Sequence, residues 1–204
     1  MSKNSSRGQW IAVGIIMTLL VGALGIGMLL TEDIAQVTTG AEAPDFTAVN
    51  LATGETVTLA DYRGDIVLLN LWATWCGPCR WEMPSMERLY RELGPAGLKI
   101  VAVSVDQVSG EEVLDFANEL GLTFDVLHDR SGQIEIDYQA TGLPETVILD
   151  RDGVIVHKSI GPVEWDEPVQ RERFRRLLGI AEADESSPDE TDAATPTQAG
   201  KSGG

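Results

Sequence analysis

The sequence predicts an α/β fold: a mixed central sheet with helices on both faces, preceded by a β-hairpin. Three observations carry this expectation. Residues 66–72 (IVLLNLW) and 99–106 (KIVAVSVD) are largely apolar runs, the pattern of strands buried on both faces. Helix-length stretches lie between and after them, so strands and helices alternate along the chain. Later, Asp152-Gly153 joins two short strand-like runs, and this turn dipeptide makes an antiparallel hairpin.

The elements follow in order. Residues 46–49 and 56–59 flank a turn at Thr53-Gly54 and form the opening hairpin. The strand at 66–72 leads into a helix over 78–93, stopped by Gly94-Pro95. The strand at 99–106 leads into a helix over 111–120, and Gly121 supplies the cap after it. A short strand at 124–127 and a short helix at 133–138 come next. Strands at 146–150 and 154–159 form the second hairpin, and an arginine-rich helix over 164–178 closes the domain.

The two ends of the chain differ from this middle. Residues 10–30 contain no charge, and Thr18 is their one polar side chain. As a helix the run would be ~31 Å long, matching the ~30 Å apolar thickness of a bilayer. Lys3 and Arg7 precede it, whereas Glu32 and Asp33 follow it. The positive-inside rule then makes residues 1–9 cytoplasmic and places everything after the run on the extracytoplasmic side of the cell membrane. The run is longer than a cleaved leader needs, and Ala41-Glu42-Ala43 lies too far beyond it, so an uncleaved anchor is expected. Residues 31–43 read as a linker to a folded domain over 44–180. Residues 181–204, rich in Asp, Glu, Ser, Thr, Pro and Gly, read as a disordered acidic tail.

The formal net charge of the 204 residues is −17. Residues 44–180 carry 23 acidic and 12 basic groups, and residues 181–204 carry 6 and 1. This acid excess argues against nucleic acid as a partner. Two cysteines exclude a disulfide-dense scaffold and a four-cysteine zinc site.

Those cysteines form Cys76-Gly77-Pro78-Cys79, between a buried strand and a helix. At a helix N-terminus Cys76 meets unpaired N–H groups and the positive end of the macrodipole, which stabilise a thiolate. Pro78 suits the first turn, where its missing N–H is not needed. Cys79 stands one turn further on, close enough to close a disulfide and to resolve a mixed one. A purely structural bridge over so short a loop would stabilise little. Arg80 stands where a covalent haem motif needs histidine, and a metal site would need further ligands, with only His128 and His157 as histidines. Redox chemistry is the reading this placement favours. No cofactor and no metal are expected. Trp72 and Trp75 are expected to shield the pair, and His128, His157, Tyr138 and Trp165 read as structural.

The stretch Asn70-Leu71-Trp72-Ala73-Thr74-Trp75-Cys76-Gly77-Pro78-Cys79-Arg80-Trp81-Glu82-Met83-Pro84 resembles the active-site region of the TlpA/ResA-like, membrane-tethered thiol–disulfide oxidoreductases of the thioredoxin superfamily. Ala43-Pro44-Asp45-Phe46 resembles the opening of that family. Gly142-Leu143-Pro144 with Asp150-Arg151-Asp152-Gly153 resembles its later landmark. The resemblance covers about residues 43–178 and implies a thioredoxin-like three-layer fold. It implies Cys76 as the attacking cysteine and Cys79 as the resolving one. Pro144 is implied as a cis proline that packs on the disulfide and, with Leu143 and Trp75, meets the substrate. Glu82, three residues after Cys79, is implied as a buried acid that exchanges a proton with it. Asn70 stands where thioredoxin has a buried Asp. Glu145 departs from a position commonly held by a small hydroxyl residue, and a charge there is expected to affect partner choice.

The implied activity is reduction of protein disulfides through a mixed disulfide, apocytochrome c of cytochrome c maturation being the candidate substrate. A transmembrane electron donor would re-reduce the pair. A disulfide-forming oxidase is the alternative direction. A copper or haem metallochaperone is the alternative of another class.

Overall fold

The structure, a computed structural model, describes the backbone of residues 5–29 and 37–180, with side chains for 10–23 and 37–180. The expected acidic tail and the first part of the linker lie outside the described residues. Helix α1 (Ser5–Leu29) covers residues 10–29 of the N-terminal apolar run. Among the described residues no helix is long and apolar enough to cross a membrane, and the 10–30 run extends past Ala23, the last described side chain of α1.

The strands are β1 (Thr47–Asn50), β2 (Thr56–Thr58), β3 (Ile66–Trp72), β4 (Leu98–Ser104), β5 (Asp125–His128), β6 (Glu145–Leu149) and β7 (Ile155–Ile160). They form one sheet in the order β2-β1-β5-β4-β3-β6-β7. Helices α2 (Gly77–Leu93), α3 (Gly110–Glu119), α4 (Gln133–Asp137) and α5 (Pro168–Leu178) complete the chain order, and helices lie on both sides of the sheet, as the alternating pattern predicts.

β3 is an interior strand between β4 and β6, and each of its residues is buried. It runs parallel to β4 from Ile66↔Leu98 to Trp72↔Ser104, and antiparallel to β6 from Val67↔Leu149 to Leu71↔Glu145. The apolar side chains on both of its faces therefore find partners, which is why its sequence shows no alternation. α2 begins where Cys76 acts as N-cap, its sulfur accepting from Cys79 N at 3.2 Å, with Pro78 in the first turn. α3 begins at a capping box in which Ser109 and Glu112 bond reciprocally, and Gly121 follows it at φ +67°. Gly153 at φ +75° makes the β6–β7 turn.

The structure differs from the sequence expectation in three places, each for a tertiary reason. Residues 37–43 do not act as tether. Gly40 N and Ala43 N donate to Ile155 O and Gly153 O, and Val37 and Ala43 are buried, so described residues from Val37 on pack with the domain. α5 starts at Pro168 rather than 164: Val163 N and Trp165 N donate to side chains on α2, and Glu167 before the proline is extended, with φ −65° and ψ 150°. β4 ends at Ser104 rather than Asp106, whose backbone N–H donates to Ser104 Oγ and whose carbonyl lies 2.9 Å from His128 Nε2.

Candidate active site

Cys76 and Cys79 form a disulfide at the N-terminus of α2, with the two Cα atoms 5.3 Å apart. Both cysteines are buried, Cys79 fully. β3 delivers them through the short segment 73–75. Thr74 holds that segment: its N–H and hydroxyl donate to Asp106 Oδ2 and Oδ1, both at 2.8 Å. Asp106 follows β4, which pairs in register with β3, so the sheet brings the two together. Ser104 Oγ donates to Asp106 Oδ2 at 2.8 Å, and His128 Nε2 lies 2.9 Å from Asp106 O. Sequence reading passed over Asp106 as a strand end. Its signal was position: an Asp at the C-terminal end of a buried parallel strand, where α/β sheets place their sites.

The two tryptophans expected to shield the pair part company. Trp72 is fully buried and stacks on Phe116, with ring centroids 5.6 Å apart. Trp75 is 71% exposed. Next in sequence to Cys76, it presents a flat apolar ring to solvent. Trp81 on α2 is exposed as well, while Arg80 lies over the Phe116 ring at 4.7 Å.

Glu82 is fully buried on α2, one turn after Cys79. Three donors aim at its carboxylate. Asn70 Nδ2 reaches Oε1 at 2.7 Å, Val163 N reaches Oε2 at 3.0 Å, and Trp165 Nε1 reaches Oε2 at 3.4 Å. Burial disfavours the charged form more than these bonds favour it, and the pKa is pushed up to about 7. Trp165, read from sequence as structural, thus also belongs to the acid's surroundings. Ser85 fixes the same segment, donating to Glu82 O at 2.7 Å and accepting from Trp165 N at 2.9 Å. α2 continues through Pro84 to Leu93.

The Leu143–Pro144 peptide bond is cis. The register Leu71↔Glu145 sets Pro144 level with Trp72, at the end of β3 that leads to the cysteines. Pro144 is buried, Leu143 half-buried, and Pro144 O accepts from Gly161 N at 2.9 Å. Glu145 is not offered to a partner, contrary to expectation. It is 2% exposed and pairs with Lys158 Nζ at 2.7 Å. Tyr138 is buried with its hydroxyl donating to Pro44 O, and His157 on β7 is held below its ordinary pKa by burial and by Arg173. Among the described residues no group of three His, Cys, Asp or Glu side chains is placed to hold a metal ion.

A cysteine pair that can open and close at a helix N-terminus, on a thioredoxin-like sheet, defines a class: the thiol–disulfide oxidoreductases. The chain belongs to the AhpC/TSA family, whose model matches residues 39–158. It is 40% identical over 169 residues to the thioredoxin-like protein YneN of Bacillus subtilis, covering 80% of this chain and 96% of that protein. It is 41% identical over 147 residues to the thiol-disulfide oxidoreductase ResA of Geobacillus thermodenitrificans, covering 69% and 81%. Among solved structures it resembles the thioredoxin domain of a thiol-disulfide oxidoreductase from Bacteroides vulgatus, with a TM-score of 0.59, 26% identity and coverage of 66% and 96%.

Proposed function

We propose that this chain reduces disulfides in protein substrates on the extracytoplasmic side of a membrane, with the apocytochrome c thiols of cytochrome c maturation as candidate substrate. The observation that carries the direction of proton flow is Glu82: a buried acid one turn from Cys79, with its pKa near neutrality. In the reduced protein the Cys76 thiolate attacks one sulfur of the substrate disulfide. The other substrate sulfur leaves as a thiolate and takes a proton from solvent. Glu82, as carboxylate, accepts the Cys79 thiol proton, and Cys79 then attacks Cys76 Sγ. The substrate's second thiolate departs, and the Cys76–Cys79 disulfide remains in the protein. Two electrons have moved from protein to substrate, and a dithiol presented by a transmembrane electron donor returns them.

The extended segment before β6, with Leu143 and Pro144, would receive the substrate strand, and exposed Trp75 would contact it. The uncharged run 10–30, flanked by Lys3 and Arg7, supports anchorage in the cell membrane with residues 1–9 cytoplasmic. The names of the ResA relatives support the chemistry.

Reduction of insulin disulfides tests the core of this reading. Cys76→Ser should abolish it, and Cys79→Ser should accumulate a mixed disulfide with the substrate. Undiminished activity in Cys76→Ser would refute the mechanism. A reduction potential near about −270 mV would support a reductant, and one near about −120 mV the opposite direction.

A further inference from the structure

The segment between α4 and β6 bears Leu143 and Pro144, and a buried carboxylate paired with a partly exposed ammonium holds it. Glu145 opens β6 with its side chain 1% exposed. Successive strand residues point to opposite faces. Thr146 meets Asn70 on the α2 side, so Glu145 points to the other side. There its Oε1 lies 2.7 Å from Lys158 Nζ of β7, and its Oε2 accepts from Thr141 N at 3.2 Å. Lys158 Nζ also donates to Tyr138 O at 3.2 Å. One ion pair therefore grips the segment at both ends: Tyr138, where it leaves α4, and Thr141, just before Gly142-Leu143-Pro144. Tyr138 is itself anchored, its ring buried and its hydroxyl on Pro44 O. Between the two grips Gln139 takes a left-handed φ of +51°.

A buried carboxylate beside an ammonium is a poor device for stability, because desolvation offsets the Coulomb gain and an apolar pair of similar volume often does as well. What the pair supplies here is direction: each charge also bonds a backbone group that no aliphatic side chain could hold.

We propose that Glu145 and Lys158 are positioning residues, and that their ion pair sets the segment 139–144 in the geometry that receives the substrate strand. The inference rests on the reading of Leu143 and Pro144 as substrate-facing. The pair touches neither cysteine, so it acts on substrate docking and leaves the thiol chemistry alone.

The test is the full-length chain in detergent carrying Glu145→Leu/Lys158→Met, which replaces the pair by apolar side chains. Such a replacement is often neutral for stability, so the double variant should fold. Its KM for insulin should rise about tenfold with kcat within about twofold, the signature of lost binding. Its reaction with a small aromatic disulfide, which docks no strand, should match wild type. Exchange of the Thr141 amide should quicken about tenfold in the oxidised protein. An unchanged KM or an unchanged Thr141 exchange in the folded variant would overturn the proposal, as would equal slowing toward the small disulfide. Should the double variant not fold, Lys158→Met alone is read by the same measurements. Wild-type inactivity toward insulin would refute the proposed function instead, and Thr141 exchange would then decide the positioning role by itself.

Discussion

Replacing Glu82 by Gln removes a buried acid near the cysteines whose pKa is pushed up to about 7. Glu82 ionises at about 4.5 in an unfolded chain and at about 7 in the folded protein. Below pH 4.5 both states are protonated, and the group has no effect on stability. Between 4.5 and 7 the unfolded chain ionises while the folded protein retains its proton, so stability falls by about 1.4 kcal/mol per pH unit. Above 7 both are ionised, and the full loss stands at about 3 kcal/mol. Glu82→Gln cannot ionise, so this slope should vanish. Chemical denaturation of the oxidised protein at pH 5 and pH 8 measures it. The wild type should lose stability across the interval relative to the variant. The absolute stability of the variant is set by a second effect. Asn70, Val163 and Trp165 all donate toward Glu82, and a Gln amide must turn its own donors on at least one of them, at a cost of about 1–3 kcal/mol. The same substitution reaches the chemistry. The rate of insulin reduction should rise through pH 7 in the wild type as Glu82 becomes able to accept the Cys79 proton. In Glu82→Gln that inflection should be gone and the rate at pH 8 reduced by about 10²-fold or more. A pH 7 inflection that survives in Glu82→Gln would refute the assignment of the proton to this residue.

Other outcomes follow from the same geometry. Asp106→Ala should leave Thr74 N–H without its partner and destabilise the oxidised protein by about 2–3 kcal/mol, read by denaturant titration, with slower reduction because the segment before Cys76 loosens. Trp75→Ala should change stability by less than about 0.5 kcal/mol, since the ring is exposed, yet raise KM for a protein substrate. Phe174→Ala should cost about 3–5 kcal/mol by thermal or chemical unfolding, because its fully buried ring packs edge-on against Trp165. Arg88→Ala, although it breaks contacts to both Glu164 and Asp166, should cost no more than about 1 kcal/mol and lose that effect in high salt, because Arg88 is half exposed.

Local patterns were legible in the sequence. The apolar run of β3 coincides with Ile66–Trp72 because burial on both faces leaves a continuous signal in seven residues. α2 was bounded by a cysteine N-cap with proline in the first turn and by Gly94-Pro95, signals that lie within the helix and its flanks. The Cys-Gly-Pro-Cys spacing needed only one helical turn to bring two sulfurs into bonding range. Tertiary structure decided what depends on partners far along the chain. Asp106 lies 32 residues from Thr74 and reaches it only because β3 and β4 pair in register. Residues 164–167 of the expected helix stay outside α5, where Val163 N and Trp165 N donate to carboxylate and hydroxyl acceptors on α2, about eighty positions earlier, and Glu167 is extended. Residues 37–43 have the composition of a tether, but the exposed edge beside β7 offers hydrogen bonds that order them. Glu145 looks like a surface charge in the sequence. Only the pairing of β6 with β7 brings Lys158 across to it and makes a clamp of a buried carboxylate and a partly exposed ammonium. The chemistry was legible because it is local to one turn of helix, whereas the surroundings that tune and hold it are assembled by the sheet.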